Sequence, residues 1–188
     1  MTGADRRAAR RATLRWLGAW ALLLAVVGGL VGSVLWARLF LWPPSDPPAR
    51  VDAIVALGGD PHQARAAEAI RLAEQGWSRT VLVSRGGFVP DPCPTRPPGI
   101  DLTCFRADPL NTRGEMEYAA RAAAAHGWTS LIIVPGRTQA TRARLLFRRC
   151  SDARLVVVPV SDHGFHLLFD VGYESLALLK AFVVHRSC

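Results

Sequence analysis

The chain has 188 residues, is 50% hydrophobic and carries a net charge of +8. Residues 1–42 hold six arginines and one aspartate, so +5 of that charge belongs to the N-terminal segment. The balance left for the remaining residues is ordinary for a domain surface, which excludes net charge as an argument for nucleic-acid binding.

Residues 1–15 form a basic tail with Arg6, Arg7, Arg10, Arg11 and Arg15 against the single acid Asp5. An apolar run of about 25 residues follows, Trp16 to Trp42, interrupted only by Arg38 near its far end. At 1.5 Å per residue such a helix crosses a hydrocarbon core of about 30 Å. Trp16, Trp20, Trp36 and Trp42 sit near its two ends, where indole rings favour the headgroup region. The arginines precede the run, so the positive-inside rule predicts a single-pass plasma-membrane protein with a cytoplasmic N-terminus and an extracytoplasmic remainder. The alternative, a cleaved signal peptide, has a shorter apolar core and a small-residue cleavage site, and WARLFLWPP offers none.

Pro43, Pro44, Pro47 and Pro48 predict a stiff extended linker over residues 43–50. Residues 51–188 are then expected to form one domain. Its cysteines are Cys93, Cys104, Cys150 and Cys188. Cys93 and Cys104 bracket a Pro/Gly-rich loop that a disulfide would staple, and a second bridge from Cys150 to Cys188 would tie down the C-terminus. Four cysteines allow three connectivities, and an even count suits an oxidising compartment. There is no CxxC, and the histidines lack zinc-ligand spacing, which disfavours a zinc site, and no metal ligands are assigned.

In chain order, Val51–Leu57, Thr80–Ser84, Ser130–Pro135 and Arg154–Val160 are short apolar runs that read as buried parallel strands. Helices are predicted over His62–Gln75, from near Thr112 to just before Gly127, over Gln139–Cys150 and, as an amphipathic last helix, over about Gly172–Val184. Thr112 and Glu115 have capping-box spacing. The order βαβαβαβα predicts a three-layer, Rossmann-like α/β domain, a parallel sheet with helices on both faces. Arg85–Asn111 is left as one long loop.

Ligands of open α/β sheets bind beyond the carboxyl ends of the strands. Gly58, Gly59, Gly86, Gly87 and Gly136 follow strands there and could bring backbone N–H groups to a ligand. Arg65 and Arg142 fall in the first turns of their helices, where a cation opposes the helix dipole, which points to an anionic partner. Asp60, Asp108 and Glu115 are the acids at this edge, able to hold a metal, pair with the arginines or act as general acid or base. Ser84, Asn111, Thr112 and Gln139 complete the candidate ligand-binding set. His163 and His166 are loop histidines able to carry protons. There is no GxGxxG, GxSxG or Walker lysine loop.

VDAIVALGGD, then Arg65, VLVSRGG, NTRGEMEYA and VPGRTQATRARLLFRRC, in this order and spacing, resemble the YdcF/SanA/ElyC family, in its actinobacterial membrane-anchored form. The resemblance covers Val51 to Cys188 and implies a Rossmann-like fold of largely unassigned function. Its acid before the T-x-E element would fall on Asp108, the element itself on Thr112 and Glu115 with an offset of one, and its H-x-x-R-A pattern on Gln139 to Ala143. Glutamine stands where the family has histidine, and it takes no proton at neutral pH. Glu174 matches an acid often found in the family's last helix. Anchored members are associated with peptidoglycan assembly and lipid-carrier metabolism, a cytosolic one with S-adenosylmethionine.

The expectation is therefore a cell-envelope protein binding an anionic, phosphate-bearing and potentially lipid-linked ligand at the strand ends, with the bilayer as its other partner and no nucleic acid. The alternatives are a non-catalytic envelope scaffold or sensor, or a nucleotide or S-adenosylmethionine binder. The sequence names no cofactor.

Overall fold

The computed structural model describes residues 3–60, 63–86, 92–161 and 167–184. The chain divides into two compact units, Met1–Arg38 and Leu39–Cys188. The first is helical: α1 runs from Gly3 to Phe40, and its stretch Leu14–Phe40 is long and apolar enough to cross a membrane.

The second unit is a Rossmann-like α/β domain. Its elements are β1 (Ala53–Ala56), α2 (Ala64–Glu74), β2 (Thr80–Ser84), β3 (Asp101–Phe105), α3 (Thr112–His126), β4 (Ser130–Val134), α4 (Ala140–Cys150), β5 (Arg154–Val157) and α5 (Leu167–Val183). All strand pairs are parallel and the order is β3-β2-β1-β4-β5. The strand direction of winding reverses between β1 and β4, the topological switch point of such sheets.

Alternation along β1 divides the core. Ala53, Val55 and Leu57 pack with Met116 and Ala119 of α3 and Leu146 and Phe147 of α4. Ile54 and Ala56 face the other way, onto Ala66, Ala69 and Leu72 of α2. Both faces of a parallel sheet are thereby dry, which is why β1 and β4 are apolar at consecutive positions.

Two sequence expectations change, at β3 and at the start of α3. The long loop contains a fifth strand, β3, whose residues Leu102 and Phe105 are buried while Asp101 and Thr103 are exposed. It is an edge strand, and the Cys93–Cys104 disulfide fastens its end to the preceding loop. Cys150 is also disulfide-bonded; the expected partner Cys188 lies outside the described residues. The cap of α3 is Asn111, whose side chain accepts from Gly114 N at 3.1 Å, and not the Thr112–Glu115 box.

The proline segment, expected as a spacer, lies along the domain. Asp46 makes two hydrogen bonds to Val157 of β5: its backbone N–H donates to Val157 O at 2.9 Å, and its carboxylate accepts from Val157 N at 2.8 Å. Arg144 of α4 reaches the same carboxylate at 2.8 Å and Pro44 O at 3.1 Å. Prolines lack the N–H of a ladder strand, so one aspartate side chain supplies the second contact.

Candidate functional site

The loops after β1 and β2 cross in backbone contact. A Cβ on Gly58 would stand 2.3 Å from Gly86 N, and one on Gly86 would stand 2.6 Å from Gly59 N. Only glycine permits this approach, so Gly58 and Gly86 are required by chain packing whatever they bind. Gly59 adopts φ 79°, a conformation that side-chain-bearing residues rarely hold. Gly136 forms a single parallel bridge to Val160. Gly87 lies outside the described residues, as do His163 and His166.

Under the crossing sits Glu115, brought there by the first turn of α3. It is 4% exposed and its Oε1 accepts from Gly58 N at 2.7 Å. Burial raises its pKa above the ordinary range. The Ser84 hydroxyl, the Gly58 amide, Arg65 and Arg142 act against burial without overcoming it. Ser84 lies close enough to favour the carboxylate, although its Oγ makes no hydrogen bond of good geometry.

A second layer bridges the switch point. Arg65 of α2 donates from Nη1 to Gly58 O at 2.5 Å and to Gln139 Oε1 at 3.1 Å. Gln139, at the start of α4, donates from Nε2 to Thr112 Oγ1 at 2.6 Å. One buried chain of contacts thus joins the segments following β1 and β4 to α3. Arg142, one turn beyond Gln139, is held by Glu174 of α5 through Nε–Oε2 and Nη2–Oε1 bonds of 2.7 Å each. That forked contact raises the Arg142 pKa against the effect of burial.

The anionic partner that the helix position of Arg142 demanded is therefore Glu174, inside the protein, and the fork is occupied. Arg65 likewise spends donors on framework acceptors. Asp60, 6% exposed, accepts from Arg65 N at 2.9 Å and satisfies one of the amides left open at the start of α2. Asp108 precedes the cis peptide bond to Pro109 and is exposed, and Asn111 serves as a helix cap. Glu115 is buried, and burial shifts it toward the protonated form.

Sequence reasoning missed the arginines immediately beyond the strands. Arg85 follows β2, Arg106 follows β3 and Arg137 stands three residues beyond β4. Arg106 and Arg137 are exposed, and Arg137 donates to Ser161 Oγ. Their common position past a strand end was a usable signal, hidden by the general abundance of arginine. Among the described residues no group of His, Cys, Asp or Glu is arranged to hold a metal ion.

Fold and site together define the class: a Rossmann-like α/β domain with a buried carboxyl-centred network at its switch point, joined to a helix of membrane-spanning length. No family model matches the chain, and neither does any curated protein or solved structure.

Proposed function

We propose that this is a membrane-anchored cell-envelope protein of the YdcF/SanA/ElyC type, which binds an anionic, phosphate-bearing ligand at the carboxyl edge of its sheet. The observation that carries the reading is Glu115, a buried carboxyl of raised pKa, at the same sheet edge where Arg85, Arg106 and Arg137 follow β2, β3 and β4. Burial works against the charged form of Glu115, and so against repulsion of an anion at this edge. The exposed arginines supply the charge that draws the anion in. The polar network below ties the loops together through Gly58, Arg65, Gln139 and Thr112. An envelope location is supported by the basic tail ahead of the apolar helix and by the disulfides, which persist in oxidising compartments.

The test is equilibrium binding of undecaprenyl phosphate to the full chain in nanodiscs. Arg106→Glu with Arg137→Glu should weaken binding by tenfold or more, about 1.4 kcal/mol or above, and Glu115→Gln, which keeps a neutral amide, should be tolerated. Equal affinity in the arginine variant would remove the phosphate reading.

A non-catalytic scaffold or sensor is the second reading, and one observation favours it. Both ends of the Gln139 amide are spent on Arg65 and Thr112, and the side chain has no titrating group. Turnover of a lipid-linked phosphate by the unmodified chain would exclude it.

A further inference from the structure

Helix α5 was expected to be amphipathic, and it is apolar on both sides. Its inner face, Val171, Leu178 and Ala181, is buried together with Glu174. The outer face carries Leu168, Phe169, Tyr173, Leu176, Leu179, Phe182 and Val183, each more than half exposed. Besides buried Glu174, the charged residues of the helix are exposed Lys180 and half-buried Asp170. A helix apolar all round belongs in a core or in lipid, and so large an exposed apolar surface is rare on a protein meeting only water.

The occupant of that face follows from what covers the inner one. Phe40, 2% exposed, packs among Val171 and Leu178, with Leu41 and Leu145 beside it. Phe40 is also the last residue of the apolar stretch that begins at Leu14. Phe40 belongs to the same compact unit as α5 and packs on its inner face, and the outer face of α5 lies about one helix diameter, ~10 Å, from that contact. Arg149, whose guanidinium stands 5.7 Å from the centre of the Phe182 ring, and Lys180 supply the basic flank that suits anionic headgroups.

We infer that α5 lies on the membrane, with Leu168, Phe169, Tyr173, Leu176 and Leu179 inserted among the lipids as a second, in-plane attachment. This rests on the reading of α1 as a membrane span. The consequence for the site is direct: the helix that meets lipid on one face holds Arg142 through Glu174 on the other. The ligand edge is then braced against the bilayer surface, which suits a lipid-borne substrate.

The test uses the full chain reconstituted in vesicles of phosphatidylcholine and phosphatidylglycerol. No described cysteine is a free thiol, so single cysteines can be introduced and labelled with an environment-sensitive dye. The positions are Val26→Cys within the span, Leu168→Cys and Leu176→Cys on α5, and Arg71→Cys on the exposed side of α2. Brominated lipids should quench the dye at 26, 168 and 176 by half or more and leave that at 71 unchanged. Quenching at 26 with none at 168 or 176 overturns the inference and keeps the span. Loss of quenching at 26 as well overturns both. A dye at 176 that is shielded from water, unquenched by brominated lipid and close to a second labelled copy by energy transfer assigns the face to self-association and overturns the lipid assignment.

Discussion

Gly58 and Glu115 are 57 positions apart in sequence and 2.7 Å apart in space, amide nitrogen to carboxyl oxygen. Glu115 thereby occupies the backbone donor that the first strand-end glycine was expected to offer a ligand. The contact couples the loop after β1 to the first turn of α3, and it makes the protonation of one buried carboxyl a property of the whole strand edge.

The pH dependence of Glu115 has a definite sign. Its folded pKa lies above the ordinary value of 4.5 because burial outweighs its hydrogen bonds and nearby arginines. The folded chain therefore holds this proton more tightly than the unfolded one. The contribution is complete below about pH 4.5 and is lost as pH rises through the folded pKa. Glu115→Gln carries no such proton, so its stability relative to the unmodified protein should increase with pH across that window and then level off. Urea unfolding at a series of pH values measures this, and a difference that shrinks as pH rises would show that the arginines prevail over burial.

Breaking the Arg142–Glu174 fork from one side strands a buried charge. Arg142→Ala or Glu174→Ala should each cost about 3–5 kcal/mol, and replacing both with Met and Leu should cost far less, because no lone charge remains. Chemical denaturation of the two single variants and the double variant decides it. Additive single effects would mean that the pair is not coupled.

Substitution at the loop crossing should be severe for a steric reason. The three atoms nearest a Cβ on Gly58 are all backbone, the farthest of them Ser84 O at 2.8 Å, and backbone cannot rotate aside. Gly58→Ala is expected to destabilise by about 3 kcal/mol or more. Gly172→Ala, with open space around its Cβ, should be neutral or slightly stabilising, since alanine favours helix. Parallel thermal melts of the two variants provide the check.

Docking of residues 43–50 depends on Asp46. Burial opposes its ionisation, but the Arg144 contact and the Val157 amide outweigh that and hold its pKa below 3.8. Its contribution is present above that value and lost as pH falls through the lower folded pKa. Asp46→Asn should cost roughly 1–2 kcal/mol at neutral pH and speed hydrogen exchange at the Val157 amide. Unchanged exchange there would mean that the prolines alone keep the segment in place.

Periodicity and chain chemistry made much of the architecture legible. Continuous apolar runs identified β1, β2, β4 and β5, because both faces of each are covered. Glycine at 127 marked the end of α3, and it does adopt a left-handed cap there. Strand β3 was not legible: its alternation is short, it lies in Pro-rich surroundings, and an edge strand needs only one buried face. Asn111 lost to Thr112 as the expected cap because local spacing does not report which side chain turns inward.

The sequence by itself determined the span-length helix, the parallel α/β sheet and the set of polar residues gathered at one edge, since these depend on local period and on connection length. Only tertiary structure decided what those residues do to one another. Arg142 became half of an internal pair, Asp60 a helix-start acceptor, and Glu115 a buried acid seated on Gly58. Each of those outcomes depends on contacts between segments distant in sequence, and burial then sets the cost of leaving any polar group unmatched. The proline segment and α5 follow the same logic: one is docked through Asp46 and Pro44, and the other has a second apolar face that becomes visible only once the first is covered.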